Sequence, residues 1–421
     1  MALLSNLFKS NDNKRYDFAK LLSGHSPIYS QYGQDIYASD VVQMAIDCIA
    51  TEISKLQPRH IRTKKDGTQE TANSSLNRLF KFSPNPVMTT TDFLEKVTWL
   101  LYMNYNAFIY PVYDSIQKNG KEIRREYKAF YPLNPSGVDF LQDGTGRLFI
   151  KFRFNSGKDF TLPYDSVIHI RKKFSVNEIM GGGITGQPDN EALRKIIKVN
   201  DTVIDGLGKA IETSMTIRGI IKIATMLDDE KMQAERKRFE EAIRKSESGI
   251  LPMDLKGEYI DLKPDPKLID SETLSFIQNK ILYWYGVPLK ILSGDFDDKD
   301  YQAFYEKTLE KLLISLSQSF SVAIFTKREL EFGNEMVFYN RDMMYLSTES
   351  KLKIIDIAGQ QGLLKDDQKL KILGYPPLPN GEGNRRTISL NYISTDIADE
   401  YQLGRTDNSK TTGGDENNNE G

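Results

Sequence analysis

Cysteine and histidine are nearly absent from this chain, with one Cys and three His in 421 residues. The lone Cys48 rules out a disulfide framework and fits a reducing compartment. His25, His60 and His169 stand far apart in unlike settings, so no Cys/His metal cluster and no Ser/His/Asp arrangement can be assembled from them. An excess of charge of either sign is missing too, with 56 basic residues against 58 acidic. A protein that grips nucleic acid tightly usually carries a basic excess, so any such contact is expected to be weak or transient. No apolar run approaches the roughly 18 residues that a membrane span needs. The nearest, "VTWLLYMNYNAFIYPVY", is interrupted by asparagines and tyrosines. "MALLSNLFKSNDNKR" has neither the charged start nor the apolar stretch of a secretory signal. The expectation is a soluble, intracellular protein.

What is present is ordinary globular material, 39% hydrophobic and 27% charged, and long enough for two or more subdomains. Residues 1–38 read as a polar arm. From Ser39, helical spacing links Val42, Ala45, Ile46, Ile49, Ile53 and Leu56, with Cys48 on the buried face. Pro58 stops that helix, and "RHIRT" reads as extended. Capping threonines and Asp92 open a helix that presents Phe93, Leu94, Val97 and Leu101 on one face. Between 107 and 171 the period shifts to two, "QDGTG" marks a hairpin, and His169 reads as a structural imidazole within a strand.

The middle of the chain has a different texture. A helix over about 189–214 aligns Leu193, Ile196, Ile197, Ile204, Leu207 and Ile211. "RGIIKIA", a charged helix, "GILPMDL" and "EYIDLK" then give a β-α-β-β insert, and a second apolar helix runs from about Asp270 to Gly286. Beyond Gly286 and Pro288 lies an acidic loop, followed by a long helix through Tyr301, Phe304, Tyr305, Leu309, Leu312, Leu313, Leu316, Phe320 and Ile324. Two shorter helices and a polar, low-complexity end complete the chain. The fold class is α+β.

Few motifs carry chemistry. "GGGITG" lacks the Gly-Lys-Ser/Thr of a phosphate loop and reads as a flexible hinge. Asp295, Asp297 and Glu306 match three positions of a calcium loop. Lys299 stands where a ligand belongs, however, and Asp300 replaces the required glycine. The charged helix after Asp229 reads as a solvated face or an interface. No cofactor and no metal are expected.

The order of several segments is more informative than any one of them. "DVVQMAIDCIATEISKLQPRHIRT", "LFKFSPNPVMTTTDFLEKVTWLLYMNYNAFIYPVY", "YPLNPSGVDF", "YDSVIHIRKKF", "YWYGVPLKILSG" and "AGQQGLLKDDQKLKILGYPPLPNGEGN" together resemble tailed-bacteriophage portal proteins, the short form found in long-tailed phages. The resemblance covers about residues 35–384. Where the family has Asn-Glu-x-Arg, this chain has Asp366, Asp367, Gln368 and Lys369.

The resemblance implies a portal fold with an α/β wing, a two-helix stem, a small β-α-β-β clip and a helical crown. The parts would be an N-terminal arm (1–38), a first wing part (39–188), stem helices at 189–215 and 265–286 and the clip at 216–264. A tunnel loop (287–300), the long helix with the second wing part (301–345), the crown (346–384) and a tail (385–421), disordered from about 405, would follow.

It also implies a homo-oligomeric ring, a dodecamer at one capsid vertex of the virion, that conducts double-stranded DNA in packaging and ejection. The implied partners are the terminase large subunit, the head-tail adaptor and the major capsid and scaffolding proteins. Assembly would take place in the host cytoplasm. Lys290, Asp295, Phe296, Asp297, Asp298, Lys299 and Asp300 would face the DNA on a flexible tether. Asp229, Lys231, Glu235, Arg236, Arg238, Glu240 and Arg244 would form the clip interface. Two alternatives are a metal-dependent DNA-processing enzyme and another ring-forming head or tail protein.

Overall fold

The computed structural model describes residues 20–21, 34–65, 67–118, 121–216, 219–223, 229–245, 257–261, 271–338 and 348–388. The chain divides into two units, 1–30 with 47–187 and 290–421, and 31–46 with 188–289. Helices and strands mix throughout, as the α+β reading expects.

The N-terminal arm contributes β1 (Lys20–Leu21), paired antiparallel with a later strand. Helix α1 (Asp40–Ser54) buries Val42, Ala45, Ile46, Ile49 and Ile53 as the helical spacing expects, but Cys48 is only half-buried, and Leu56 lies beyond the end of the helix. Strands β2 (Arg59–Thr63) and β3 (Gln69–Thr71) follow, then α2 (Ser75–Phe82) and α3 (Thr90–Asn104). A capping box starts α3. The Asp92 N–H donates to Thr89 Oγ1 (3.2 Å), and the Asp92 carboxylate accepts from the Thr89 N–H (2.9 Å).

The period-two region becomes β4 (Asn106–Lys118), β5 (Lys121–Leu133), β6 (Gly137–Gln142), β7 (Leu148–Arg153), β8 (Asp159–Pro163) and β9 (Ile168–Arg171). These make two antiparallel sheets, ordered β5-β4-β9 and β1-β6-β7-β8. The β4–β5 ladder runs from Phe108↔Leu133 out to Lys118↔Lys121, whereas β9 pairs only with Asn106–Ile109. Pro111, with no N–H to give, stands just past the last of those pairs.

The second unit holds α4 (Glu191–Thr216), β10 (Gly219–Ile223), α5 (Asp229–Lys245), β11 (Gly257–Asp261) and α6 (Ser271–Tyr285). Helices α4 and α6 pack on each other, and β10 pairs antiparallel with β11 across α5. The third strand expected in "GILPMDL" lies outside the described residues.

Back in the first unit come α7 (Leu289–Ser293), α8 (Asp298–Phe304) and α9 (Glu310–Ile324). The long helix is one run from Asp298 to Ile324, interrupted by a π-helical turn at Tyr305–Leu309. Its buried apolar residues are Phe304, Leu309, Leu313, Leu316, Phe320 and Ile324. The first interval is five residues, too long for an α-helical face, and the wider turn restores the phase. Leu312, expected on that face, is only half-buried. Phe320 stacks among Phe80 (6.0 Å between ring centroids), Phe130 (6.1 Å) and Phe338 (4.9 Å), so the helix threads the aromatic core of this unit.

After α10 (Lys327–Glu331), β12 (Asn334–Val337) completes a sheet ordered β12-β2-β3. The C-terminal part differs from the two-helix expectation. Between α11 (Thr348–Gln360) and α12 (Asp366–Ile372), the residues Gln361–Lys365 form β13, which pairs with β14 (Arg386–Ile388). Gly362 at φ +66° is the residue that lets the chain leave the helix and extend at once.

Candidate functional site

The stretch after α6 does not form the flexible tether that its length and charge suggest. Helix α6 closes with a Schellman motif. Gly286, at φ +78°, donates its N–H to the Tyr283 carbonyl (3.1 Å), and the Val287 N–H donates to the Leu282 carbonyl (3.1 Å). Val287 and Leu282 are both buried, which supplies the motif's apolar contact, and Pro288 prevents the helix from continuing.

The next turn, α7, anchors itself through buried Ile291 and is released by Gly294 at φ +76°. Asp297 then caps α8. Its carboxylate accepts from the Asp300 N–H (2.7 Å), and the Asp300 carboxylate accepts from the Asp297 N–H (3.4 Å). Lys290 reaches across from α7 to Asp300 (2.9 Å). The hydrogen bond and charge of each partner hold the Lys290 ammonium above, and the Asp300 carboxyl below, their ordinary ranges. Asp298 accepts from Ser350 Oγ on α11 (2.5 Å).

Three of the four aspartates therefore stabilise the backbone or tie elements together, because an aspartate beside exposed helix N–H groups is a better cap than a free charge. Asp295, Lys299 and Phe296 are exposed. The Phe296 ring lies 5.8 Å from that of Tyr301, whose hydroxyl donates to Glu52 (2.8 Å). Burial first, and then that carboxylate, push the Tyr301 hydroxyl pKa upwards.

The calcium-loop pattern is not gathered into a site. Asp297 serves its own helix, and Glu306 accepts from Gln302 (2.8 Å) on the helix surface. No group of three or more His, Cys, Asp or Glu side chains comes together among the described residues.

The charged helix α5 is well formed, and Asp229, Lys231, Arg236, Arg238 and Glu240 are exposed along it. Arg236 donates to Glu240 one turn on (2.7 Å). The side chains of Glu235 and Arg244 lie outside the described ones.

The sequence reading missed the role of Asn106. Its side-chain oxygen accepts from the Gly181 N–H (2.7 Å) and faces His169 Nε2 (3.0 Å), while its amide donates to the Gly181 and Gly186 carbonyls (3.1 Å each). The "GGGITG" stretch is thus a pinned loop rather than a hinge. A Cβ on Gly181 would stand 2.4 Å from the Lys172 and Tyr105 carbonyls, so glycine serves close approach here. His169 stacks on Phe108 (4.3 Å) and bonds Tyr164 through Nδ1 (2.9 Å), and burial holds its pKa well below the usual value. Next to it, the Lys172 ammonium sits 3.2 Å from the Tyr102 ring centroid, and burial lowers its pKa as well. Nothing in the spacing of an isolated Asn-Ala dipeptide signals such a hub.

A model of the phage portal protein family matches residues 40–374, and the chain belongs to that family. Two relatives described as "Probable portal protein", from Lactococcus phages p2 and SK1, are each 23% identical over 405 residues, covering 91% of this chain and 92% of theirs. Among solved structures, the neck of an empty GTA particle computed with C6 symmetry matches 85% of this chain and 97% of its own, with a TM-score of 0.59 at 15% identity. The virion of a native gene transfer agent particle gives the same coverage with a TM-score of 0.58 at 14% identity. At such identities the likeness is one of fold.

Proposed function

We propose that copies of this chain close into a ring, a dodecamer at one vertex of the capsid, whose channel passes double-stranded DNA during packaging and ejection. The observation that carries this is the family match over 40–374, together with a fold likeness that extends over 85% of the chain. A neck computed with C12 symmetry is among the similar structures, at a TM-score of 0.54. On this reading α4 and α6 are the stem, and β10, α5 and β11 belong to the clip that meets the terminase large subunit and then the head-tail adaptor. The major capsid and scaffolding proteins surround the wing. The chain assembles in the host cytoplasm and ends in the virion, with no catalytic role.

The segment from Lys290 to Asp300 faces the DNA on this reading. Its built-in caps make it a stiff projection, and Asp295, Phe296 and Lys299 are its outward residues. Near-neutral charge suits such a wall, since a strongly basic channel would hold phosphate and stall the polymer.

The test is electron microscopy of the purified protein, followed by a count of DNA-filled heads made with Asp295→Lys. Closed rings, and fewer filled heads with a defect that weakens as salt rises, are expected. Monomer at every concentration and salt would overturn the ring. Normal packaging by the variant would remove the segment from the DNA path, and loss of rings would make it an interface instead.

A further inference from the structure

The two packed helices of the second unit carry exposed faces that match each other. On α4 the stripe begins buried, with Leu193, Ile197 and Asn200 at 4% exposure or less, and continues in the same register into Ile204 and Ile211, which are 43% and 45% exposed. Gly208 lies between those two isoleucines on the helix surface, and a Cβ there would meet nothing within 4 Å. A glycine inside a helix costs about 1 kcal/mol against alanine, and no neighbour among the described residues requires one here. On α6 the exposed face is the reverse in shape. Phe276 and Tyr283, seven residues apart and so on one side, are 66% and 65% exposed.

Charge matches as well. Asp201 and Asp205 are exposed along one flank of the α4 stripe, and exposed Lys280 lies between the two aromatics of α6. Bulky rings on one helix and an isoleucine-flanked glycine on the other are the two halves of a knob-into-hole contact. Complementary halves on two helices of one copy can pair either across a two-fold axis or head to tail, and only the head-to-tail form closes a ring of more than two copies.

We propose that α6 of one copy docks on α4 of the next, with Phe276 and Tyr283 straddling Gly208 between Ile204 and Ile211, and Lys280 meeting Asp201 and Asp205. This rests on the ring reading and names the surface that would join its stem helices.

The test is disulfide crosslinking in the full chain with Cys48→Ser, combining Gly208→Cys with Phe276→Cys. Ring formation is followed separately by mass photometry, and helix content by circular dichroism. A covalent ladder of multimers is expected, absent from either single variant and from a control pairing Gly206→Cys, on the opposite side of α4, with Phe276→Cys. Lys280→Asp should lower the yield several-fold, and adding Asp201→Lys with Asp205→Lys should restore it. Intact rings with no ladder, or an equal ladder from the control, would overturn this contact while leaving the ring reading standing. Absence of rings in the unmodified protein would instead defeat the ring reading itself.

Discussion

At the scale of single residues, several polar side chains are internal fixtures of the fold. His169 is one. Buried and neutral, it binds no proton in the folded chain until well below its ordinary pKa, whereas the unfolded chain takes one up near pH 6.5. The unfolded state therefore binds more protons below that pH, and stability falls as pH falls, by up to about 1.4 kcal/mol per pH unit while the folded form stays neutral. Melting temperatures from pH 7.5 to 5.5 should drop more steeply for the native chain than for His169→Gln. Parallel curves would mean that the imidazole does not titrate differently on unfolding. Asn200 is the opposite case, since its buried amide has no hydrogen-bond partner among the described residues. Replacing it with Leu removes that desolvation cost and should raise the subunit's stability by about 1–3 kcal/mol in denaturant unfolding. A decrease would indicate that water or a partner satisfies the amide.

At the scale of elements, the long helix is the spine of the first unit. Leu316→Ala should cost about 2–5 kcal/mol, because Leu316 is 1% exposed, and the half-buried Leu312 should cost clearly less. Equal losses on thermal denaturation would contradict the π-turn's phase shift. This contrast shows how much of the chain was legible beforehand. Apolar spacing reveals that Phe304 to Ile324 is helical, but which leucine faces inward depends on one wider turn, and sequence carries no mark of it. The acidic segment was misread for a related reason. Four aspartates look like free charge, yet Asp297 and Asp300 form a capping box that only their three-residue separation hinted at. Asp297→Ala should remove that cap and cost roughly 1 kcal/mol. It should also raise hydrogen exchange in 295–304, and unchanged exchange would restore the tether description. The pinned glycine loop was illegible because its partner, Asn106, is 75 residues away from Gly181.

At the scale of the whole molecule, the order of segments was the readable signal. Family membership follows from it, although no single motif was diagnostic. The polar tail beyond about 405 lies outside the described residues and has few apolar side chains to bury. Truncation after Arg405 should leave ring formation and melting temperature unchanged, and loss of assembly would show that the tail makes contacts of its own.

The β4–β5 hairpin has a consequence for the subunit before it meets its neighbours. Past Ile109 no third strand is paired to it among the described residues, so a ribbon of roughly nine residues per strand, about 30 Å long, leaves its β4 edge without a partner strand. The β5 edge is engaged at Phe130 by the Pro84 carbonyl and the Asn85 amide (2.8 Å each). An unpaired edge is a template on which another chain's strand can grow. The ladder sets Asp114 against Glu126, with the Lys128 ammonium 3.5 Å from each carboxylate, and it slips register at Val112/Tyr113 and again at Ile116/Gln117. The irregular register spoils the flat geometry that stacking of such ribbons needs. The same irregularity guards free subunits against polymerising along that edge.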